Sequence, residues 1–149
     1  MDNERLVIWE PLEENPFCRY TNEMQFVEMH YQKDFVLVFE DFKTQKIYRF
    51  TYEQSKAQTY AIVSYRFFDE LTRPDIDTLI DNLFKEQGNS SYRPTFYKME
   101  NSEFISWYDK VYSARVGMYP NTEHHVYLTA DYVLEVLSEY EPTVTIESK

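Results

Sequence analysis

The stretch MQFVEMHYQKDFVLVFEDFKTQKIYRFTY, residues 24 to 52, decides the fold class. Its first run, Met24 to Tyr31, alternates Val27, Met29 and Tyr31 with Glu28 and His30, a period of two that buries one face of a strand and wets the other. Gln32-Lys33-Asp34 then turns the chain. Phe35 to Glu40 is apolar on both faces, the pattern of a central strand covered on two sides. Lys46 to Tyr52 alternates again, with Tyr48, Phe50 and Tyr52 opposing Arg49 and Thr51. Short polar connections and aromatic or β-branched content predict an antiparallel meander.

Outward from this block, Tyr60 to Phe67 extends the meander with Ala61, Val63, Tyr65 and Phe67 on one face, and Arg5 to Trp9 supplies an N-terminal strand. The period changes at Arg73-Pro74-Asp75. Pro74 suits a first helical turn, Asp75 and Asp77 favour its positive end, and Ile76, Leu79, Ile80 and Leu83 recur at helical spacing before Gly88. Pro94 to Glu100 reads as a short strand. Asn101 or Ser102 caps a second helix with the stripe Phe104, Ile105, Tyr108, Val111 and Tyr112, ending before Gly117. Both stripes read as core faces. His125 to Thr129 and Thr143 to Glu147 are strand-like. Tyr132 to Leu137 fits a helix face or a buried strand, and Pro142 is tolerable at a strand edge. The expectation is an α+β fold, an antiparallel sheet with a meander in its first half and a terminal hairpin, packed with two helices.

The chain has 149 residues and no long linker, since Gln87 to Ser91 makes a loop, so residues 1 to 149 form one domain. Its longest apolar run, Phe35 to Phe39, falls far short of the ~20 residues that span a bilayer. Met1-Asp2-Asn3-Glu4-Arg5 begins no signal core, and the single cysteine, Cys18, closes no internal disulfide; together they predict a cytoplasmic protein without membrane contact. Twenty-six acidic residues against fifteen basic ones give a net charge of −11, a field that repels nucleic acid and attracts a basic protein.

Chemistry is constrained by what is missing. Gly88 and Gly117 stand alone, so neither a phosphate-cradling loop nor a Gly-x-Ser-x-Gly elbow exists, and paired cysteines for structural zinc are absent. His124 and His125 are neighbours, and on a strand their rings point to opposite faces and cannot grip one ion. No catalytic residue, metal or cofactor is expected. Asp69 and Glu70 end a strand, where they cap a turn, pair with Arg66 or Arg73, or form an acidic patch with Asp75, Asp77 and Asp81. That patch is the candidate partner-binding site. A subset of the fourteen tyrosines, mixed with acids, would complete such a surface, because Tyr offers large contact area at small entropic cost.

Ala61-Ile62-Val63-Ser64-Tyr65-Arg66-Phe67-Phe68-Asp69-Glu70 is similar to a strand ending in Tyr-Arg-x-x-Asp-Glu in small bacterial proteins of poorly defined function. Phe96 to Phe104, His125 to Thr129 and Val133 to Ser138 with Glu141-Pro142 resemble their C-terminal half. These proteins belong to a loose set that includes immunity proteins paired with bacterial toxins. The resemblance implies a non-catalytic inhibitor that occludes a basic effector, and it carries over no functional residue. A small-molecule-binding or enzymatic α+β domain and a homo-oligomeric structural protein are the competing readings.

Overall fold

Strand β3 (Phe35–Asp41), buried along its whole length, is the middle of a four-stranded sheet in the computed structural model, which describes residues 3–88 and 92–149. Asn89 to Ser91 of the expected loop, and Met1 and Asp2, lie outside the described residues. β3 pairs antiparallel with β2 (Gln25–Tyr31) and β4 (Lys46–Tyr52), as the meander predicts. Phe35, Leu37 and Phe39 of β3 and Tyr48, Phe50 and Tyr52 of β4 all face the same core. Strand β9 (Thr143–Ser148) joins the outer side of β4 and completes the order β2-β3-β4-β9.

Four details of this sheet correct the sequence reading. A bulge between Phe26 and Glu28 turns Phe26 and Met29 toward the core and leaves Val27 and Tyr31 exposed. Val38 is buried on the other face without a covering layer: its neighbours in the register are Glu28 and Arg49, and Arg49 is held by ion pairs to Glu28 and Glu147. The fourth expected strand does not extend the meander. It begins at Ser64 instead of Tyr60 and, as β5 (Ser64–Asp69), pairs with β8 (Tyr132–Ser138) in a second sheet.

That second sheet has the order β1-β6-β7-β8-β5, with β1 (Arg5–Ile8), β6 (Phe96–Glu100) and β7 (Glu123–Leu128), all antiparallel. Tyr132 to Ser138 is a strand, and it forms its hairpin with β7, while β9 crosses to the first sheet. One face of the five-stranded sheet contributes Phe96, Tyr127, Leu134 and Val136 to the core between the sheets. Its rings meet those of the other sheet in mixed geometries: Phe50 stands edge to face against Tyr127 at 5.4 Å, so that a positive ring edge meets a negative face, while Phe39 stacks on the same tyrosine at 5.7 Å.

The other face of that sheet is covered by α1 (Pro74–Gln87), which buries Ile76, Ile80, Leu83 and Phe84 against Leu6, Tyr97, Val126 and Val133. Pro74 opens α1 and Gly88, at φ +82°, closes it. α2 (Glu103–Val111) is capped by Ser102, whose Oγ accepts the Ile105 N–H at 3.0 Å. Its expected core stripe is a surface: Phe104 is buried, while Val111 and Tyr112 are exposed, and a short α3 (Arg115–Met118) follows. No helix among the described residues is long and apolar enough to cross a membrane.

Candidate functional site: an aromatic face along β5 and the polar network behind it

Adjacent positions on a strand point to opposite faces, so β7 sends His124 toward α2 and His125 into the inter-sheet core. Each nucleates a separate polar network. On the helix side, Glu135 of β8 has no exposed surface and collects four donors within 2.9 Å: His124 Nε2 at 2.9 Å, Arg66 Nε and Nη2 at 2.6 and 2.9 Å, and Arg73 Nη1 at 2.5 Å. Burial would raise its pKa, but these partners overturn that and hold the carboxyl far below the usual range. The excess positive charge is met by Asp75, 3.0 Å from Arg73 Nη2.

Ser102 Oγ lies 2.7 Å from His124 Nδ1, so Ser102, His124 and Glu135 follow the connectivity of a hydrolase triad. Their setting is structural. The serine is buried and its oxygen is engaged as the helix cap, and Glu135 is shared with two guanidinium groups. The network pins the start of α2 onto the sheet.

On the core side, His125 stacks on Trp9 at 4.5 Å. Desolvation lowers its pKa despite Glu123, so the ring is neutral at physiological pH. Its Nε2 donates to Glu123 at 3.1 Å because a carboxylate only accepts. Nδ1 therefore accepts from Tyr52 Oη at 2.7 Å, and Tyr52 in turn accepts from Tyr127 at 2.7 Å. Glu123, His125 and Glu141 bring potential metal ligands within 4.8 Å of one another. Lys98 Nζ sits among them, 3.0 Å from Glu123 and 2.6 Å from Glu141, so an ammonium of the chain itself takes the cationic position. The hydrogen bond from His125, against the cost of burial and with help from Lys98, holds the Glu123 carboxyl down to about 2.

Among the described residues, three grooves lie along β5, an edge strand with Tyr65, Phe67 and Phe68 exposed, and Glu135, His124 and His125 line none of the three. Six residues of strand cover about 17 Å. Just before its start, a groove of about 350 Å³ is walled by Tyr31, Tyr60, Tyr108, Tyr112 and Tyr119. Beside its first half, Trp107 of α2, 58% exposed, stands with Tyr65 and Arg66 around a second. Beyond its end, a third of about 530 Å³ holds Glu23, Glu70 and Asp77 with the exposed Tyr20 and Leu71.

The five acidic residues singled out in the sequence divide here. Glu70 and Asp77 line the third groove together. Asp69 caps the turn after β5 by accepting the Leu71 N–H at 2.9 Å, and Asp75 serves Arg73. Asp81 stands exposed on α1. Arg66 and Arg73 are engaged by Glu135, not by Asp69 or Glu70. Glu70 titrates above the ordinary carboxylate value, first from partial burial, which Arg19 opposes and Glu23, Asp131 and Asp77 reinforce. An added cation would relieve that repulsion. The tyrosine subset, gathered from four segments of the chain, was beyond sequence reasoning.

No protein family, curated protein or solved structure matches this chain, so the functional reading rests on its geometry.

Proposed function

We propose that this protein is a non-catalytic binding protein that engages a basic protein along the β5 face, and that it acts in the cytoplasm as an inhibitor of the toxin-immunity kind. The carrying observation is the course of β5: Tyr65 and Phe67, exposed on one side of this edge strand, and Phe68, exposed on the other, lead to a groove where the Glu70 carboxylate shares Arg19 with Glu23 and Asp77. Aromatic side chains supply contact area at protein interfaces, and the three carboxylates at the end of the row, which share the single guanidinium of Arg19, select a cationic partner and speed its approach. Inhibition follows by covering the partner's working surface.

The test is affinity capture from extracts of the source cells with the wild-type chain and with a Phe68→Ser, Glu70→Gln, Asp77→Asn variant side by side. The reading expects a basic protein retained by the wild type, released by salt and lost by the variant. Equal retention by both would refute it.

A further inference from the structure

The groove before β5 has a composition that points to a particular ligand chemistry. Five tyrosine rings and Met118 wall it over Ile62 and Val63, and no lining residue is charged. The surrounding charges are accounted for. Arg115 lies behind Tyr119, donating to its carbonyl oxygen, and is neutralised by Asp109 through two hydrogen bonds. Lys33 lines the adjoining groove, which shares Tyr31 and Tyr60 with this one. Tyr119 titrates above an ordinary phenol, first through burial and then through Tyr108, Tyr112, Tyr60 and Glu139, so the phenol oxygens and Glu139 together oppose negative charge there.

We infer that this tyrosine groove binds a guanidinium group and, resting on the reading of a basic protein partner, that it seats an arginine side chain of that partner. Ring faces carry negative quadrupole density and attract cations placed over them. The lining offers no carboxylate to replace the water of a strongly hydrated lysine ammonium. A guanidinium is weakly hydrated, planar and able to stack, and its N–H groups find acceptors in the tyrosine hydroxyls. The groove opens beside the same edge strand that leads to the acidic groove, and the net charge of −11 favours a cation in either.

The experiment titrates the full chain with acetyl-Gly-Arg-Gly-amide and with the citrulline peptide, its neutral isostere, while tyrosine ring resonances are followed by NMR. Arginine should give saturable shifts and bind about fivefold more tightly than citrulline. Tyr60→Ala or Tyr112→Ala, both at exposed positions, should weaken it to a similar degree with the circular dichroism spectrum unchanged. Absence of saturable shifts, or equal binding of citrulline, would overturn the site. Tighter binding of tetramethylammonium than of the arginine peptide would overturn the arginine assignment in favour of a small organic cation. Arginine binding without any basic protein retained by the β5 face would leave the groove standing and refute the partner reading. A basic protein retained undiminished by Tyr60→Ala and Tyr112→Ala would do the reverse.

Discussion

Arg66 on β5 and Glu135 on β8 are direct partners in the strand register, joined by hydrogen bonds of 2.6 and 2.9 Å, with Glu135 shut off from solvent. The pair ties the proposed binding edge to the neighbouring strand of the five-stranded sheet, and His124 carries the tie on to β7 at its centre. Removing one member of a buried ion pair strands the other. Glu135→Gln leaves Arg66 and Arg73 without their common anion and should cost about 3–5 kcal/mol. For a chain of this size that lowers Tm by roughly 10 °C, readable by calorimetry.

Acid should destabilise the fold in two stages. His125 has a folded pKa below its unfolded value, so in that window the unfolded chain binds the extra proton and stability falls as pH drops below about 6.5. Glu123 and Glu135 have depressed folded pKa values. Their contribution is complete above the unfolded carboxyl value near 4.5 and is lost as pH falls from there toward 2 and below. Denaturant midpoints from pH 8 to pH 2 should be level above 7, decline gently, then steepen. The gentle stage should be absent in His125→Phe.

The ammonium of Lys98 fills the position that a divalent ion would take between Glu123, His125 and Glu141. Lys98→Met exposes two carboxylates and an imidazole whose proton must move from Nε2 to Nδ1 on zinc binding, where it is donated to Tyr52 Oη as the outer hydrogen bond that orients metal-bound histidine. Zinc should raise the Tm of Lys98→Met and leave the wild type unmoved at the same concentration. Differential scanning fluorimetry with zinc and with a chelator checks both.

Ser102 holds two partners at once, the Ile105 N–H and His124. Ser102→Ala should cost about 1–2 kcal/mol, from the lost cap and the unpaired imidazole nitrogen. Hydrogen exchange should quicken first in α2. Ser102→Thr, which keeps the hydroxyl, should recover most of the loss.

What the sequence revealed followed from local period. β2 to β4 and α1 are legible because alternation and the spacing of Ile76, Ile80 and Leu83 each repeat within one segment. β5 misled because its partner is β8, about seventy positions on, and no local pattern distinguishes that from extending the meander. The stripe of α2 misled for a related reason: amphipathic spacing says that a face is apolar, not that another layer covers it. The sequence does hold one long-range signal for this pairing. Arg66 and Glu135 are isolated charges inside two apolar strands, and buried charges are seldom left unpaired. As partners they join β5 to β8. The tyrosine groove draws on β2, the segment before β5, α2 with Tyr112 after it, and the end of α3, and only the folded chain assembles it.

The β5 face as a receptor for a basic protein is tested most directly by capture with wild-type chain and with the Phe68→Ser, Glu70→Gln, Asp77→Asn variant, eluted along a salt gradient. Glu70 and Asp77 line the groove, and Phe68 is exposed but lies under Arg66 and Arg73 of the Glu135 network, so the circular dichroism spectrum and Tm of the variant are measured beside the capture. The account predicts one basic protein held by the wild type at low salt, released as salt rises, and absent from the variant. A partner that binds both chains alike, or whose retention is indifferent to salt, would contradict it.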